Sequence, residues 1–449
     1  MDKQLYAGFA KLKTNPPMGI NIPGYFNKRW SDGILTDLYI QATAFQLGDK
    51  KAILFSLDAV AMMEGAYKAI RDKVVERVGV DPDSVYICCT HSHTAFRVPN
   101  PGAKDQSDDA IFLRKLFLDF ADCAQFAFED LKPVLDLKIA SGIAKDVGFI
   151  RRYRMKDGSC KTNPSTGNPD LVSFEGVQDE SLQLVRVIRE NASEILFVNF
   201  ATHADVIGGT KYCADWPGFT RDYLIGALGG NAEVMMIIGA QGDSNHLNRF
   251  LQKGVQLLKL DRSKQMARII TGETLKIYDD AISVPFGKLN FANKIVEVGT
   301  NPYDPADVPE ALEMHKLYVQ CQDSKDPRFK NYKLNLPEAQ RIVKLLNGPE
   351  SFFLQVSALQ IGNIAFIGFQ GEPFTEIGLK VKEASKMPMT ICSCITNGKQ
   401  GYFPTASAFA EKGYERSISP FAHDVAQKLI DAALELIDEM EIIPEETIE

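Results

Sequence analysis

The sequence predicts an α/β protein, one large domain over residues 1–440 with mixed β-sheets flanked by helices, followed by a short acidic tail over 441–449. Three observations predict it. Short β-branched and aromatic runs alternate along the chain with longer segments of helical periodicity, the arrangement that yields sheets covered by helices. With 45% apolar and 24% charged residues the composition is that of an ordinary soluble protein, and 449 residues suffice for a substantial core. Finally, one pattern recurs: a strand-like run ends, a tight turn of small residues follows, and a polar group appears. It does so at Asp58, at His91 and His93, and at His203, Asp243, Glu372 and Tyr402. In open α/β architecture, sites form beyond the carboxyl ends of strands, so a site is expected there.

Taken in order, Leu5 to Lys13 reads as a strand running into the proline-fixed turn Asn15-Pro16-Pro17-Met18-Gly19. Leu38 to Gln46 and Lys51 to Leu57 read as strands joined at Gly48-Asp49-Lys50, and an amphipathic helix follows to about Val78. Val85 to Cys89 is a short, uncharged, β-favouring run that delivers Thr90-His91-Ser92-His93. Residues two apart in extended chain point to one side, so both imidazoles can face one pocket. Ser107 reads as the N-cap of a helix with Asp108 and Asp109 in its first turn. Phe112, Leu116, Phe120, Cys123 and Ala127 recur at helical spacing as a core stripe, and Pro133 stops the run.

Gly148 to Gly176 differs in kind. It holds the basic-aromatic cluster Ile150-Arg151-Arg152-Tyr153-Arg154, the hairpin signal Lys156-Asp157-Gly158-Ser159, and then a long Pro-, Gly- and Asn-rich stretch that reads as an irregular loop. Strands return at Leu182 to Ile188 and at Ile195 to Ala201, which ends in Thr202-His203-Ala204-Asp205. Asp215 reads as a helix cap, and Val234 to Gly239 as a buried strand delivering Gln241-Gly242-Asp243-Ser244-Asn245-His246. Helices over about 260–279 and much of 306–346 flank a strand near Leu289 to Val298. Strands Phe352 to Leu359 and Ile364 to Phe369 lead to Gln370-Gly371-Glu372-Pro373. A strand around Thr390 to Thr396 leads to Asn397-Gly398-Lys399-Gln400-Gly401-Tyr402, and a last helix spans about Ser419 to Glu439.

A net charge of −8 argues against a general polyanion binder, so no nucleic-acid partner is expected. No apolar run approaches the ~20 residues that span a bilayer, and the N-terminus lacks the apolar core of a signal peptide. The eight cysteines are scattered without a second pair at zinc-finger spacing. They read as reduced core thiols of a cytoplasmic protein that acts on a small molecule.

Two imidazoles, a carboxylate and a phenolate can form a zinc ligand set with room for a water. Zinc lowers that water's pKa towards ~7 and supplies a hydroxide able to attack a carbonyl. Two histidines and a carboxylate also describe the ligand set of a non-haem iron oxygenase, and a non-catalytic metal-binding protein is the third reading.

Eight stretches in register extend from residue 8 to beyond 400: Gly8-Phe9-Ala10-Lys11 with Pro16-Pro17-Met18-Gly19, Ser56-Leu57-Asp58, Thr90-His91-Ser92-His93, Asn199-Phe200-Ala201-Thr202-His203, Ala214-Asp215-Trp216-Pro217-Gly218, Gln241-Gly242-Asp243, Gly371-Glu372-Pro373 and Gly401-Tyr402. In them the chain resembles the catalytic domain of the neutral/alkaline ceramidase family. The resemblance implies that His91, His203, Glu372 and Tyr402 bind zinc, with His93 beside the metal as a proton-transfer or substrate-orienting group. It implies that Arg152, where the family has an Asn-Arg motif, contacts the substrate or its developing oxyanion; Tyr402 and Tyr414 are expected to stabilise that oxyanion with it.

The departures bear on chemistry. The family's Gly-Asp-Val-Ser-Pro-Asn stands here as Gly242-Asp243-Ser244-Asn245-His246-Leu247, so the family serine falls on Asn245. Attack by metal hydroxide needs no such serine, and Asn245 is expected to donate its amide N–H to a substrate oxygen. The β-sandwich that the family appends and a secretion signal are both missing from the expected layout. The expectation is therefore a zinc hydrolase of a soluble amide or ester, lactones included. Asp58 and Asp243 read as supporting groups, His246 as either a ligand or acid/base in place of the serine or a surface-loop histidine, and His315 and His423 as structural.

Overall fold

The computed structural model describes residues 4–25, 27–102, 108–346, 348–411 and 413–444. Eight strands build the larger sheet: β1 (Leu5–Lys13), β2 (Tyr39–Leu47), β3 (Lys50–Leu57), β4 (Val85–Cys89), β5 (Lys132–Ile143), β6 (Ser181–Arg189), β7 (Glu194–Phe200) and β8 (Ala232–Ile238). Their order is β8-β7-β6-β5-β1-β2-β3-β4, with Ile282–Ser283 pairing beside β5. A second sheet runs β9 (Leu289–Gly299), β10 (Ser351–Ile361), β11 (Ile364–Phe369) and β12 (Met389–Ser393) in sequence order.

Alternation along the strands explains how these sheets stack. On β7, Ile195 and Phe197 belong to one apolar cluster and Leu196, Val198 and Phe200 to another, because successive side chains leave opposite faces. The first set meets the second sheet, where Phe197 and Phe366 sit with ring centroids 5.5 Å apart. The second set meets helices α1 (Glu64–Val78), α2 (Asp108–Glu129), α3 (Asp215–Ala227) and α4 (Lys259–Tyr278). Helices α5 (Val308–Cys321) and α6 (Leu336–Leu346) pack on each other through Met314, Ala339 and Ile342. The outer face of the second sheet is covered by α7 (Thr375–Ala384) and α8 (Val425–Asp438). The result is four layers: helices, sheet, sheet, helices. Mixed sheets flanked by helices match the sequence reading, and the face-to-face packing of the sheets is new.

Several local expectations need correction. Residues 148–176 are not an irregular loop: Arg152–Met155 pairs with Cys160–Thr162 across the expected turn and with Leu171–Phe174 on its other side. A cluster of the Tyr153, Phe174 and Phe250 rings gives this small sheet its own apolar centre. Asp215 does not cap α3. It has φ +53°, and its carboxylate accepts from the Val206 and Ile207 amides, so it pins the loop after His203. The last helix begins at Val425, not Ser419, because Phe421 bridges to Thr300 and Tyr414–Ile418 forms a separate short helix. The Ser107 cap and tail residues 445–449 lie outside the described residues; the Phe112 to Ala127 stripe is buried as expected.

Three neighbouring strand pairs run parallel: β3 with β4, β7 with β8, and β11 with β12. Their carboxyl ends deliver His91, His203 and Glu372 respectively, which is how a largely antiparallel molecule makes a strand-end site.

Candidate metal centre

His91 leaves β4 by a left-handed turn at φ +57°, after the Thr90 amide has donated to the Leu57 carbonyl of the parallel neighbour. Its Nδ1 lies 2.6 Å from the Val60 carbonyl. His203 leaves β7, and its Nδ1 lies 2.9 and 2.7 Å from the Gln241 and Ser244 carbonyls at the end of β8. A carbonyl only accepts, so in both rings Nδ1 carries a proton and Nε2 is the nitrogen turned to the cluster.

Glu372 lies between these rings in a two-residue parallel pairing with Tyr402. Two glycines permit the approach. A Cβ on Gly371 would fall 2.5 Å from the Gly401 carbonyl oxygen, and one on Gly242 would fall 2.4 Å from the Glu372 carbonyl oxygen. Ile395, a β-branched residue held at φ +45°, ties the pieces together: its amide donates to the Gly371 carbonyl, and its carbonyl accepts from the Cys89 amide. Backbone strain of this kind persists only where its surroundings fix it.

The resulting contacts crowd imidazole nitrogens around one carboxylate oxygen. Glu372 Oε2 is 3.4 Å from His91 Nε2 and 3.2 Å from His203 Nε2, while His93 Nε2 is 3.3 Å from His91 Nε2. One nitrogen from each of the three imidazoles lies within 4.8 Å of the others. Burial alone would raise the Glu372 carboxyl, but the charge of Lys399, with Nζ 2.9 Å from Oε1, leads in holding it well below its usual range. Burial, then Arg151, lowers the His203 pKa; burial, then His91, holds His93 well below 6.5. Glu372 is thus an ionised carboxylate, and His93 and His203 are held towards their neutral forms.

A cavity of about 500 Å³ opens onto His91, His93, Glu372, Tyr402 and Tyr414. The two phenol rings lie 5.8 Å apart, and the Arg151 guanidinium sits 5.3 and 5.9 Å from their centroids. Burial, followed by the Glu372 charge, pushes Tyr402 well above 10, and burial raises Tyr414 as well, so both are neutral O–H groups.

No protein-family model and no curated protein sequence matches this chain. Solved structures do. The neutral ceramidase from Pseudomonas aeruginosa matches 99% of this chain and 76% of its own length with a TM-score of 0.72 at 14% identity. The fold is that of the neutral ceramidases. A ceramidase complexed with C2 agrees, at TM-score 0.70 and 13% identity over 99% of this chain and 77% of its own.

Within this ceramidase-like fold the expected residues separate into two groups. His91, His93, Glu372, Tyr402 and Tyr414 line the cavity, and His203 touches Glu372 from behind. Arg152 and Asn245 are not among the lining residues. The buried Arg152 places Nη1 3.3 Å from Glu415 Oε2, and it is Arg151, bound to Glu415 Oε1 at 2.8 Å and to the Gly242 carbonyl at 2.7 Å, that reaches the phenols. Asn245 donates to Asn163 Oδ1 at 2.9 Å and accepts from the Leu247 amide, which leaves it bracing the loop. Ser244 Oγ donates to Gln178 at 2.6 Å. Asp58 pairs with Arg221 at 3.0 Å, and Asp243 accepts from the Thr375 amide that opens α7, so both are structural supports as read. His246 lies in the bend after Asn245 but not at the surface. It is buried and bound through Nδ1 to Asp205 at 2.9 Å.

Sequence reading missed Lys399, Arg151 and Glu415. Lys399 lies inside the Asn397 to Tyr402 turn already singled out, so its position there was the available signal. Nothing local marks Glu415, which is 264 residues from Arg151.

Proposed function

We propose that this chain is a zinc-dependent hydrolase that cleaves an amide or ester bond, lactones included, in a small soluble substrate. One observation carries the reading: two imidazole Nε2 atoms, their Nδ1 atoms fixed by backbone carbonyls, converge on the same carboxylate oxygen. Burial opposes a proton on His203, and an unprotonated Nε2 against a carboxylate oxygen needs a cation between them. Nitrogen and oxygen donors in this number suit zinc. His91, His203 and Glu372 would hold the metal with Tyr402 as fourth ligand, and His93 beside them. When bound, zinc would supply a Lewis acid and an activated water.

The chain's own residues do the rest. His93, kept neutral by burial, is the base that takes a proton at the cavity wall and returns it to the leaving group. Tyr414, a neutral phenol, donates its O–H to the carbonyl oxygen as charge develops, and Arg151 supports that charge from behind. No Ser, Thr or Cys is among the described residues lining the cavity, so water serves as the nucleophile. The names of the structural neighbours support the hydrolase class, and eight unpaired cysteines support a cytoplasmic setting. No helix among the described residues is long and apolar enough to cross a membrane.

The test is metal analysis of protein purified without added metal, joined to a panel of N-acyl compounds, esters and lactones assayed with and without chelator. About one zinc per chain and chelator-sensitive turnover are expected, and His91→Ala and His203→Ala should each lose metal and activity together. Stoichiometric zinc retained in both variants sinks the ligand assignment. Oxygen uptake dependent on Fe(II) would replace the hydrolase by an oxygenase.

A further inference from the structure

The chain carries a net charge of −8, yet the wall of this cavity reverses the sign. Arg97, Arg341, Lys344 and Lys399 line it against a single acid, Glu372. Two of these cations are engaged. Arg341 donates to the Asn301 and Ser417 carbonyls at 2.7 and 3.1 Å, and Lys399 pairs with Glu372. The other two are not: among the described residues neither Arg97 nor Lys344 has a carboxylate within ion-pair distance or a side-chain hydrogen bond. The Lys344 ammonium has only the Phe352 ring, 5.6 Å from its centroid.

We propose that the substrate carries an anionic group, a carboxylate or a phosphate, that Arg97 and Lys344 receive at the wall of the cavity. The inference rests on the hydrolase reading and names the substrate class for that same site. A concave surface of one charge sign concentrates ions of the other. The guanidinium fork of Arg97 matches a carboxylate or phosphate edge, and the ammonium of Lys344 adds a point charge. An uncharged substrate filling the cavity would strip water from both cations and return nothing to them. Both residues are exposed at the cavity wall, within reach of an incoming anion.

Matched substrates test it. The zinc-loaded protein is assayed on N-acylglycines, the corresponding N-acylglycinamides and N-acyl-phosphoethanolamines with one acyl group, while calorimetry measures binding of each. One of the two anionic series should exceed the uncharged amide in kcat/KM by roughly tenfold or more, and Arg97→Gln and Lys344→Gln should each shrink that ratio. Preference for the carboxylate or for the phosphate series identifies the anion. Equal or better turnover of the uncharged amide, with ratios unmoved in both variants, overturns the anion site and leaves the hydrolase standing. Binding of an anionic series that weakens in Arg97→Gln, without turnover of any compound, upholds the anion site and removes the hydrolase. Neither binding nor turnover removes both.

Discussion

The imidazole wall and the carboxylate–phenol wall of the centre are held by different kinds of partner. His91 and His203 are fixed through Nδ1 to main-chain carbonyls at the ends of parallel strands. Glu372, Tyr402 and Tyr414 are held by charged side chains: Lys399 on the carboxylate, and Arg151 on the phenols, itself fixed by Glu415. A carbonyl neither titrates nor can be removed by substitution, so the anchors that orient the rings of the first wall do not depend on charge. The second depends on ion pairs, and its geometry answers to whatever changes their charge. One wall is preorganised by the fold and the other by electrostatics.

The largest expected effect breaks the second wall at its root. Glu415→Gln leaves the buried Arg151 and Arg152 without their shared carboxylate, and should cost about 3–5 kcal/mol in urea unfolding. A loss under about 1 kcal/mol would show that ion pairing does not hold that wall. Lys399→Met should cost about 1–3 kcal/mol in the metal-free protein by leaving Glu372 without its cation, and less once zinc is bound, since the metal takes over that role. An equal loss in both states would mean that metal and lysine do not share the carboxylate.

Acid should dissect the two walls in sequence. His93 and His203 have folded pKa values below 6.5, so the unfolded chain binds more protons, and stability should fall as pH drops below 6.5. Glu372 and Glu415 are held below their ordinary 4.5, and their contribution should disappear as pH falls on through 4.5. Asp243, pushed up to about 6 by burial, works the other way between 3.8 and 6. Unfolding of the metal-free protein across pH should therefore show an early decline that His93→Gln reduces and a later one that Glu415→Gln reduces. A single decline below 4.5, with His93→Gln without effect, would remove the imidazole part. The smallest effect is expected at Ser244, whose main-chain carbonyl, not its hydroxyl, holds His203. Ser244→Ala should keep at least roughly a tenth of turnover, a barrier change of about 1.4 kcal/mol or less. A folded, zinc-loaded but inactive Ser244→Ala protein would point to a covalent mechanism instead.

The positions of the strands, and of the polar groups at their ends, were determined by sequence alone. Local patterning suffices for them: Val85 to Cys89 can be little other than a buried strand, and a histidine two residues beyond it must emerge at its carboxyl end. The four-layer stack, the choice of Arg151 over Arg152 for the phenols, the engagement of Asn245 by Asn163 and the Lys399–Glu372 pair were decided by tertiary structure. Alternation says that successive residues on a strand diverge, but not which face will meet a cavity. That depends on the elements packed against each face, which here come from the other end of the chain. Glu415, far from both arginines in sequence, pairs with both of them, and Arg151 is further anchored on the Gly242 carbonyl.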